Sequence, residues 1–472
     1  MLVVFSAAYL MPIMVSWLYH DGSTVDFALA MMTTFAAGSL MWLMTRSYKG
    51  ELSMRHGYLL VVAMWTAMPA VATLPLLLVI DGLSFTDAYF ETMSGLTTTG
   101  ATVLTGLDEL SPAINIWRHE LNWLGGMGII VLAVAVLPLL GIGGRQLFKA
   151  ETPGPMKDTA LTPRITETAR NLWLVYLGIT MACILSLKVV GMNWLDAICH
   201  AFATLSLGGF STHDANIGYF NSPAIEFVLI VFMLLAAMNF STHFLAWREK
   251  SLKLYLRDTE AIATVALILA SCLGIAVFLW WQGTYPSFWT ALRHASFNLV
   301  SIATDCGFTS VDYNQWPIFA PMWMLLLSCV AASSGSTGGG IKMVRTMILF
   351  KQAGREFIKL LHPTAINPMK IGGNVVPNNI VFAVLGFIFL YFMTVAILTF
   401  ALLISGLDFI SAFSAIIACI NNAGPGLGVV GPAGNYGVLT DFQTWICTIA
   451  MLVGRLEIFT VLILFTPHFW RR

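Results

Sequence analysis

Four short segments of the chain share one pattern, in which a half-apolar stretch ends in a glycine. They read DAYFETMSGLTTTG, DAICHAFATLSLGG, HASFNLVSIATDCG and SAFSAIIACINNAG, and they stack without gaps. Each has an alanine twelve residues before the last glycine, and those glycines are Gly100, Gly209, Gly307 and Gly424. Glycine adopts backbone angles that turn carbonyl oxygens inward, and carbonyl oxygens can replace the water shell of a cation. The pattern predicts a site for a monovalent cation formed by four loops of one chain. A role in helix packing or turns would explain any one of these glycines, but it explains their fourfold recurrence less well.

Such loops need a membrane around them and helices to hold them. The 472 residues are 58% hydrophobic and 10% charged, against about 25% charged residues in soluble domains. Stretches of about 20 apolar residues predict helices that span the bilayer. We expect ten of them, near 1–19, 24–45, 58–80, 116–142, 171–192, 222–247, 259–282, 318–350, 378–405 and 442–468. The four glycine-ended segments (84–99, 193–208, 287–306 and 408–423) are shorter. They predict re-entrant pore helices followed by non-helical backbone.

The order of helix, pore segment, glycine and helix occurs four times. We therefore predict an all-α membrane protein of four repeated helix–pore-loop–helix units plus two extra N-terminal transmembrane helices. The predicted units are 1–57 for the extra pair, then 58–143, 144–250, 251–360 and 361–472 for the four pore repeats.

All but five of the 24 Lys and Arg residues fall in one set of connections: 46–57, 143–170, 248–257, 343–376 and the C-terminal tail. By the positive-inside rule these connections and both chain ends are expected to be cytoplasmic. We expect no cleavable signal peptide, and the start of the chain almost directly in a helix is consistent with a short missing N-terminal piece. The net charge of zero argues against a nucleic-acid partner. The seven cysteines are interpreted as small packing residues.

Two features near the last predicted helices bear on control. Mid-membrane residues that should not stay helical are Ser333, Ser334, Gly335, Ser336, Thr337, Gly338, Gly339 and Gly340. They predict a flexible loop across the pore below the filter, the alternative being close helix packing; a phosphate-binding loop fails on spacing. Arg455 is a charge deep in the last apolar segment, so it is expected to be a barrier to cations, or paired with an acid or with loop carbonyls. The basic residues from Lys342 to Lys359 are either an ordinary positive-inside flank or a docking face for a regulator.

At this point the chain resembles a known group. The strings TTTGAT, GGFSTHD, CGFT and NNAGPGLG are similar to those of the Trk/Ktr/HKT superfamily of potassium transporters. The extra apolar pair at 1–45 and the ending MLVGRLEIFTVLILFTPHFW are similar to the bacterial TrkH branch rather than the shorter KtrB branch. The resemblance covers nearly the whole chain.

The resemblance implies a potassium-channel-like fold with pseudo-fourfold symmetry and a potassium ion bound in the filter, with no covalent cofactor. The carbonyls expected to bind it belong to Thr98, Thr99, Leu207, Gly208, Asp305, Cys306, Asn422 and Ala423. It also implies that the loop at 333–340 acts as a gate. The protein would be a homodimer in the bacterial inner membrane, working with a cytosolic ring of nucleotide-binding TrkA subunits.

The four loops differ around their glycines, whereas a true potassium channel repeats one sequence. This predicts modest selectivity against sodium. The carboxylate of Asp305 either attracts cations at the pore mouth or accepts loop N–H groups. The leading hypothesis is a gated potassium-conducting pore, and the alternative is a sodium- or proton-coupled secondary transporter. An enzyme is not expected, because His200, His243 and His294 are scattered singly and no ATP-binding motif is present.

Overall fold

The computed structural model describes residues 1–47, 54–131, 165–365 and 367–471. Within these ranges the chain is almost entirely helical, apart from one small antiparallel hairpin formed by β1 (Lys370–Ile371) and β2 (Asn374–Val375). In chain order the helices are α1 (Leu2–Tyr19, with a 3-10 turn inside it), α2 (Thr24–Thr45), α3 (Met54–Val79), α4 (Phe85–Leu96), α5 (Pro112–Val131), α6 (Ile165–Val189), α7 (Trp194–Ser206), α8 (Pro223–Ala236), α9 (Phe240–Glu249), α10 (Thr259–Trp281), α11 (Phe288–Ala303), α12 (Phe319–Val330), α13 (Met343–Leu361), α14 (Asn378–Ile404), α15 (Phe409–Asn421), α16 (Asp441–Arg455), α17 (Ile458–Leu462) and α18 (Pro467–Trp470). The prediction of an all-α membrane fold is confirmed.

Six helices in the described ranges are long and apolar enough to cross a bilayer alone: α1, α2, α3, α6, α10 and α14. Two further spans are bent pairs. Helices α8 and α9 meet at 95°, and α16 meets the α17 segment at 112°. The predictions of continuous spans at 222–247 and 442–468 were therefore wrong. At the first bend the side chain of Asn239 accepts a hydrogen bond from the backbone N–H of Ser241 and starts a new helix. At the second bend Glu457 has a positive φ of 59°, which no helix interior allows.

The predicted span at 318–350 is also divided. Helix α12 ends at Val330, and α13 begins at Met343, with the glycine- and serine-rich residues between them in non-helical backbone. The interruption expected from composition is confirmed. The predicted span at 116–142 corresponds to α5 as far as Val131, and its remainder lies outside the described residues, as does most of the basic connection at 143–170.

The four short segments form the helices α4, α7, α11 and α15, called the pore helices below. Each is started by a side chain that accepts from the backbone N–H three residues on, which satisfies a donor that the first helical turn leaves free. The capping residues are Ser84, Asn193, Ser287 and Asp408. The shared cap explains why four unlike sequences begin their pore helices at equivalent positions. The boundaries proposed for the four units stay a prediction.

The extra pair α1 and α2 packs on the first unit. The ring of Tyr9 in α1 stacks on Trp117 in α5 with centroids 4.5 Å apart, and Trp117 donates to the carbonyl of Ala72 in α3 at 3.1 Å. Both aromatic side chains are fully buried. The pair therefore buttresses the outside of the helices that hold the first pore loop.

Candidate ion pathway

All four pore helices end in the same way. The residue immediately before each terminal glycine donates its backbone N–H to the carbonyl five positions earlier, at 2.8 Å in every case. The preceding residue lies in the left-handed region, and the glycine has a positive φ as well. This is the six-to-one closure of a helix C-terminus. The left-handed residues are Thr98, Leu207, Asp305 and Asn422, with φ of 54°, 54°, 64° and 57°.

The four loops face one another in a closed ring. A Cβ atom added to Gly100 would collide with the carbonyl oxygen of Gly208 in the second loop. The same relation links Gly209 to the Cys306 oxygen and Gly307 to the Ala423 oxygen. The ring closes where a Cβ on Gly424 would lie 2.7 Å from the oxygen of Thr99 in the first loop. Each position therefore needs glycine for two reasons: a neighbouring carbonyl leaves no room for a Cβ atom, and the backbone has a positive φ. The loops follow one another in cyclic order around one axis.

Polar oxygens without a protein partner surround this ring. Among the described residues, Thr98 Oγ1, Asp305 Oδ1 and Asn422 Oδ1 are buried and make no hydrogen bond. They occupy the same position in three of the four loops, and Leu207 holds it in the second. Buried polar groups are normally paired with protein or water. Three unpaired oxygens at equivalent positions indicate a place for water or an ion.

Side chains behind the loops hold them in position, and sequence reasoning missed most of these. Glu91 in α4 accepts from Arg118 in α5 at 2.8 Å, and both side chains are 1% exposed. Arg118 also donates to the carbonyl of Ser211 after the second loop at 3.2 Å, and Asn122 packs against Gly208. The signal was available for the ion pair, because two opposite charges in apolar segments are expected to meet. Asn122 carried no such signal.

A cavity of about 440 Å³ opens on the glycine side of the ring, and its walls include residues of all four loops. The imidazole of His213 ties two of its bordering loops together, since it bonds Asp108 through Nδ1 and Asp196 through Nε2 at 3.3 Å. Burial alone would lower the pKa of His213, but the hydrogen bonds and charges of Asp196 and Asp108 outweigh it and raise that pKa. Burial acts to raise the pKa of Asp108, yet the bond from His213 leaves it below its usual value. Both shifts favour the charged forms of the two groups.

The loop between α12 and α13 lies directly across the other side of the ring. A Cβ on Gly339 would collide with the carbonyl of Asn421 at the end of the fourth pore helix, and one on Gly338 would lie 3.1 Å from the Thr304 oxygen in the third loop. The hydroxyl of Thr337 donates to the Leu205 carbonyl at the end of the second pore helix at 3.1 Å. One loop thus contacts the base of three pore helices or loops.

Two acidic side chains fix this loop in place. The carboxylate of Asp305 accepts from the backbone N–H of Gly339 at 3.1 Å and is fully buried. Of the two orientations expected for Asp305, the structure has the one that binds the loop. Glu260 in α10 accepts from the N–H groups of Ser334 at 2.7 Å and Val344 at 3.1 Å. Hydrogen bonds from the loop backbone to these buried carboxyl groups satisfy N–H donors that burial would otherwise leave unpaired.

Arg455 lies at the end of α16 and is 3% exposed. It donates to the carbonyl of Thr337 in the loop at 2.9 Å and to the carbonyl of Gly125 in α5 at 3.1 Å. Of the pairings expected for this residue, the one with loop carbonyls is observed. Its neighbour Glu457 pairs with Arg345 at 3.0 Å, so no acid neutralises Arg455 through a described ion pair.

The basic residues after the loop divide into two sets. The side chain of Lys342 donates to the carbonyl of Gly338, and Arg345 is fully buried. These two belong to the loop and its surroundings, so they cannot form part of a docking face. On α13 only Lys351, Arg355 and Lys359 remain near the surface.

Four short helix-and-loop segments in a ring, surrounded by long apolar helices and crossed by a buried loop, define a multi-pass membrane protein. The family model described as "TrkH: Cation transport protein" matches residues 23–472. The chain therefore belongs to the TrkH family of cation transport proteins.

Individual relatives agree over the full length. The chain is similar to the Trk system potassium uptake protein TrkH of Halomonas elongata, with 46% identity covering 100% of this chain and 98% of that protein. It is 44% identical to the protein of the same name from Escherichia coli K12, over 100% of this chain and 97% of that one. The crystal structure of the potassium transporter TrkH from Vibrio parahaemolyticus superposes with a TM-score of 0.92 at 43% identity, covering 100% of this chain and 97% of that one.

Proposed function

We propose that this protein takes up potassium across the bacterial inner membrane as a gated pore. The filter is the ring of loops, with the carbonyls of Thr98, Thr99, Leu207, Gly208, Asp305, Cys306, Asn422 and Ala423 as the ion ligands. The observation that carries the proposal is the cyclic contact of each glycine with the carbonyl that precedes the next glycine. Rings of carbonyls are what a partly dehydrated cation requires.

Potassium as the ion is supported by relatives named as potassium uptake proteins that share 44% to 46% of their residues with this chain. The three unpaired oxygens at equivalent positions support occupancy of the ring by an ion or its water. Because the four loops are unlike, their oxygens differ in position and field, and we expect moderate discrimination against sodium.

Control is proposed to lie in the loop of residues 333–340, with Arg455 as the barrier. The loop lies against the base of the ring, and the guanidinium of Arg455 is held there by the Thr337 carbonyl. A cation that leaves the ring must displace the loop and pass this charge, which is costly in a low-dielectric setting.

The remaining elements of the proposal concern assembly. The relatives' names place them in a Trk system, which supports a cytosolic nucleotide-binding ring of TrkA type as the regulator, acting on a homodimer with cytoplasmic termini. The basic residues of α13 that lie near the surface are the proposed contact for that ring.

The test is ion flux through purified protein in liposomes, with potassium and sodium gradients compared in otherwise identical vesicles. A gated pore gives potassium flux that follows its own gradient and shows single-channel current steps in a bilayer. Potassium flux that saturates and keeps a fixed ratio to sodium or proton flux, without current steps, would favour a coupled transporter over a pore. Equal flux rates for potassium and sodium would refute the assignment of the ring as a selectivity filter.

A further inference from the structure

A second cavity, of about 480 Å³, lies between α6 and the bent pair α8–α9. We call it the bend groove. Its walls are formed by Leu174, Val175, Gly178, Ile179, Leu235, His243, Ala246, Trp247, Leu252 and Tyr255. Several of these are strongly exposed apolar side chains, with Trp247 68% and Leu252 79% accessible. In a membrane protein, such a rim faces the acyl chains of the bilayer.

The polar groups in the bend groove are already satisfied. Both ring nitrogens of His243 are used, one with the hydroxyl of Tyr255 and one with the carbonyl of Leu235, each at 2.8 Å. The other wall residues offer aliphatic or aromatic surface. A polar solute would gain no hydrogen bond there from the histidine, so the groove favours a hydrocarbon chain.

Positive charge lies beside the groove wall. The cations that follow Trp247 in the chain, all exposed and without an ion pair in the part of the protein the structure describes, are Arg248, Lys250, Lys253 and Arg257. The acids of this stretch do not cancel them, since Glu249 is a single exposed carboxylate and Asp258 is buried as the cap of α10. Exposed Leu252 and Leu256 alternate with the cations. Apolar and basic residues so interleaved are typical of a contact with anionic lipid headgroups.

We propose that the bend groove binds one anionic phospholipid, with an acyl chain between α6 and the bent pair and the phosphate at the cluster of Arg248, Lys250 and Lys253. Apolar walls and an adjoining cationic cluster complement the two halves of such a lipid. A neutral amphiphile would use only the first half.

This site adjoins the loop under the ring. The bend between α8 and α9 supplies the Ala237 carbonyl that accepts from the N–H of Ser333 at 3.1 Å, and its Phe240 N–H donates to the carbonyl of Gly335 at 3.1 Å. A lipid in the groove therefore packs on the outer side of the same bend that holds the loop on its inner side.

The test uses native mass spectrometry of the purified protein with added phosphatidylglycerol or phosphatidylcholine. Gly178→Leu fills the groove, and a Cβ at Gly178 meets no atom within 4 Å. Gly274→Leu is the matched control, an exposed helical glycine in α10 with equally free space. We expect phosphatidylglycerol binding about tenfold weaker in Gly178→Leu, as for the loss of one or two buried methylenes, and unchanged in Gly274→Leu.

The headgroup is tested by the combined change of Arg248, Lys250 and Lys253 to Gln. Each cation removed should weaken phosphatidylglycerol binding about fivefold and phosphatidylcholine binding less, because the phosphatidylcholine headgroup carries no net charge. The control changes Lys351, Arg355 and Lys359 to Gln. Thermal unfolding in detergent verifies that all variants fold.

Two outcomes would overturn the proposal. Undiminished phosphatidylglycerol binding in folded Gly178→Leu would mean that no acyl chain enters the groove. A changed oligomeric state of Gly178→Leu, with lipid binding intact, would mean that a second copy of the chain covers this face instead.

Discussion

Replacement of Gly424 by alanine tests whether the ring carbonyls are ion ligands. Gly424 has a φ of 84°, and an added Cβ would lie 2.7 Å from the Thr99 oxygen. Real Cβ contacts are essentially never below 3.0 Å and are ordinary from 3.4 Å. The Thr99 carbonyl must therefore withdraw by 0.3 to 0.7 Å, the difference between these distances.

That displacement is large for an ion ligand. Coulomb attraction falls as 1/r and is steepest at contact, so moving one of four oxygens by this amount costs about 1 kcal/mol for a bound cation. Because about 1.4 kcal/mol corresponds to a tenfold change in an equilibrium constant, we expect the potassium preference over sodium to fall about fivefold. The positive φ adds about 1 to 2 kcal/mol of destabilisation to the fold.

The matched control is Gly406→Ala in the same unit. Gly406 has a φ of 92°, but its added Cβ meets nothing within 4 Å. The Gly406→Ala variant therefore has the same cost of a positive φ at alanine, but its Cβ contacts no carbonyl. The assay is the ratio of potassium to sodium flux in liposomes, with thermal unfolding measured for each variant. A folded Gly424→Ala protein with the wild-type ratio would refute the role of the Thr99 carbonyl, and equal ratios in both variants would refute the argument from contact.

Four other outcomes are expected. Gly307→Ser should weaken potassium-over-sodium discrimination, since its Cβ would collide with the Ala423 carbonyl and lie 3.0 Å from Pro425; unchanged ion ratios would count against the filter assignment. Arg455→Ala should raise potassium flux. Arg455→Lys should raise it less, because lysine keeps the charge but not the forked guanidinium that joins two carbonyls. Unaltered flux in a folded Arg455→Ala protein would show that Arg455 is not part of the barrier. Deletion of Gly338–Gly340 should leave the pore less well closed, and smaller uptake by folded protein would contradict the gate. His213→Gln should lower the free energy of unfolding by up to about 1 kcal/mol at pH 6 and by less at pH 9. The pKa of His213 is raised by its acidic partners, so the stability that the charged imidazole contributes is lost as the pH rises through that pKa. A difference in unfolding temperature that does not shrink at pH 9 would show that the charge of His213 is not involved.

Much of the fold was predictable because its signals are local. The pore helix Phe85–Leu96 falls within the predicted segment 84–99, and Trp194–Ser206 within 193–208. Short stretches of sequence determine the capping side chains, the lengths and the terminal glycines of these helices. The interruption before Met343 was equally visible, because serine and glycine in mid-membrane cannot sustain a helix.

What could not be predicted depends on packing between distant segments. The bend at Asn239 lies in a stretch predicted as one span, where the polar residues Asn239, Ser241 and Thr242 were the local sign of a break. The orientation of Asp305 is decided by the N–H of Gly339, which is 34 residues away. The hydrogen bond from Arg455 to the Gly125 carbonyl joins residues 330 positions apart, and no local sequence pattern predicts such a contact.

The four loops of the ring belong to one polypeptide, and this separates the protein from a pore assembled from identical subunits. In a symmetric assembly one codon change alters every quarter of the ring at once, so small adjustments are multiplied by four. Here each quarter is encoded separately, as Leu207 in place of an oxygen-bearing residue illustrates. Mutation can thus adjust the permeation path in single, graded steps, and a set of one-loop variants offers the experimenter a scale for apportioning ion preference among the quarters.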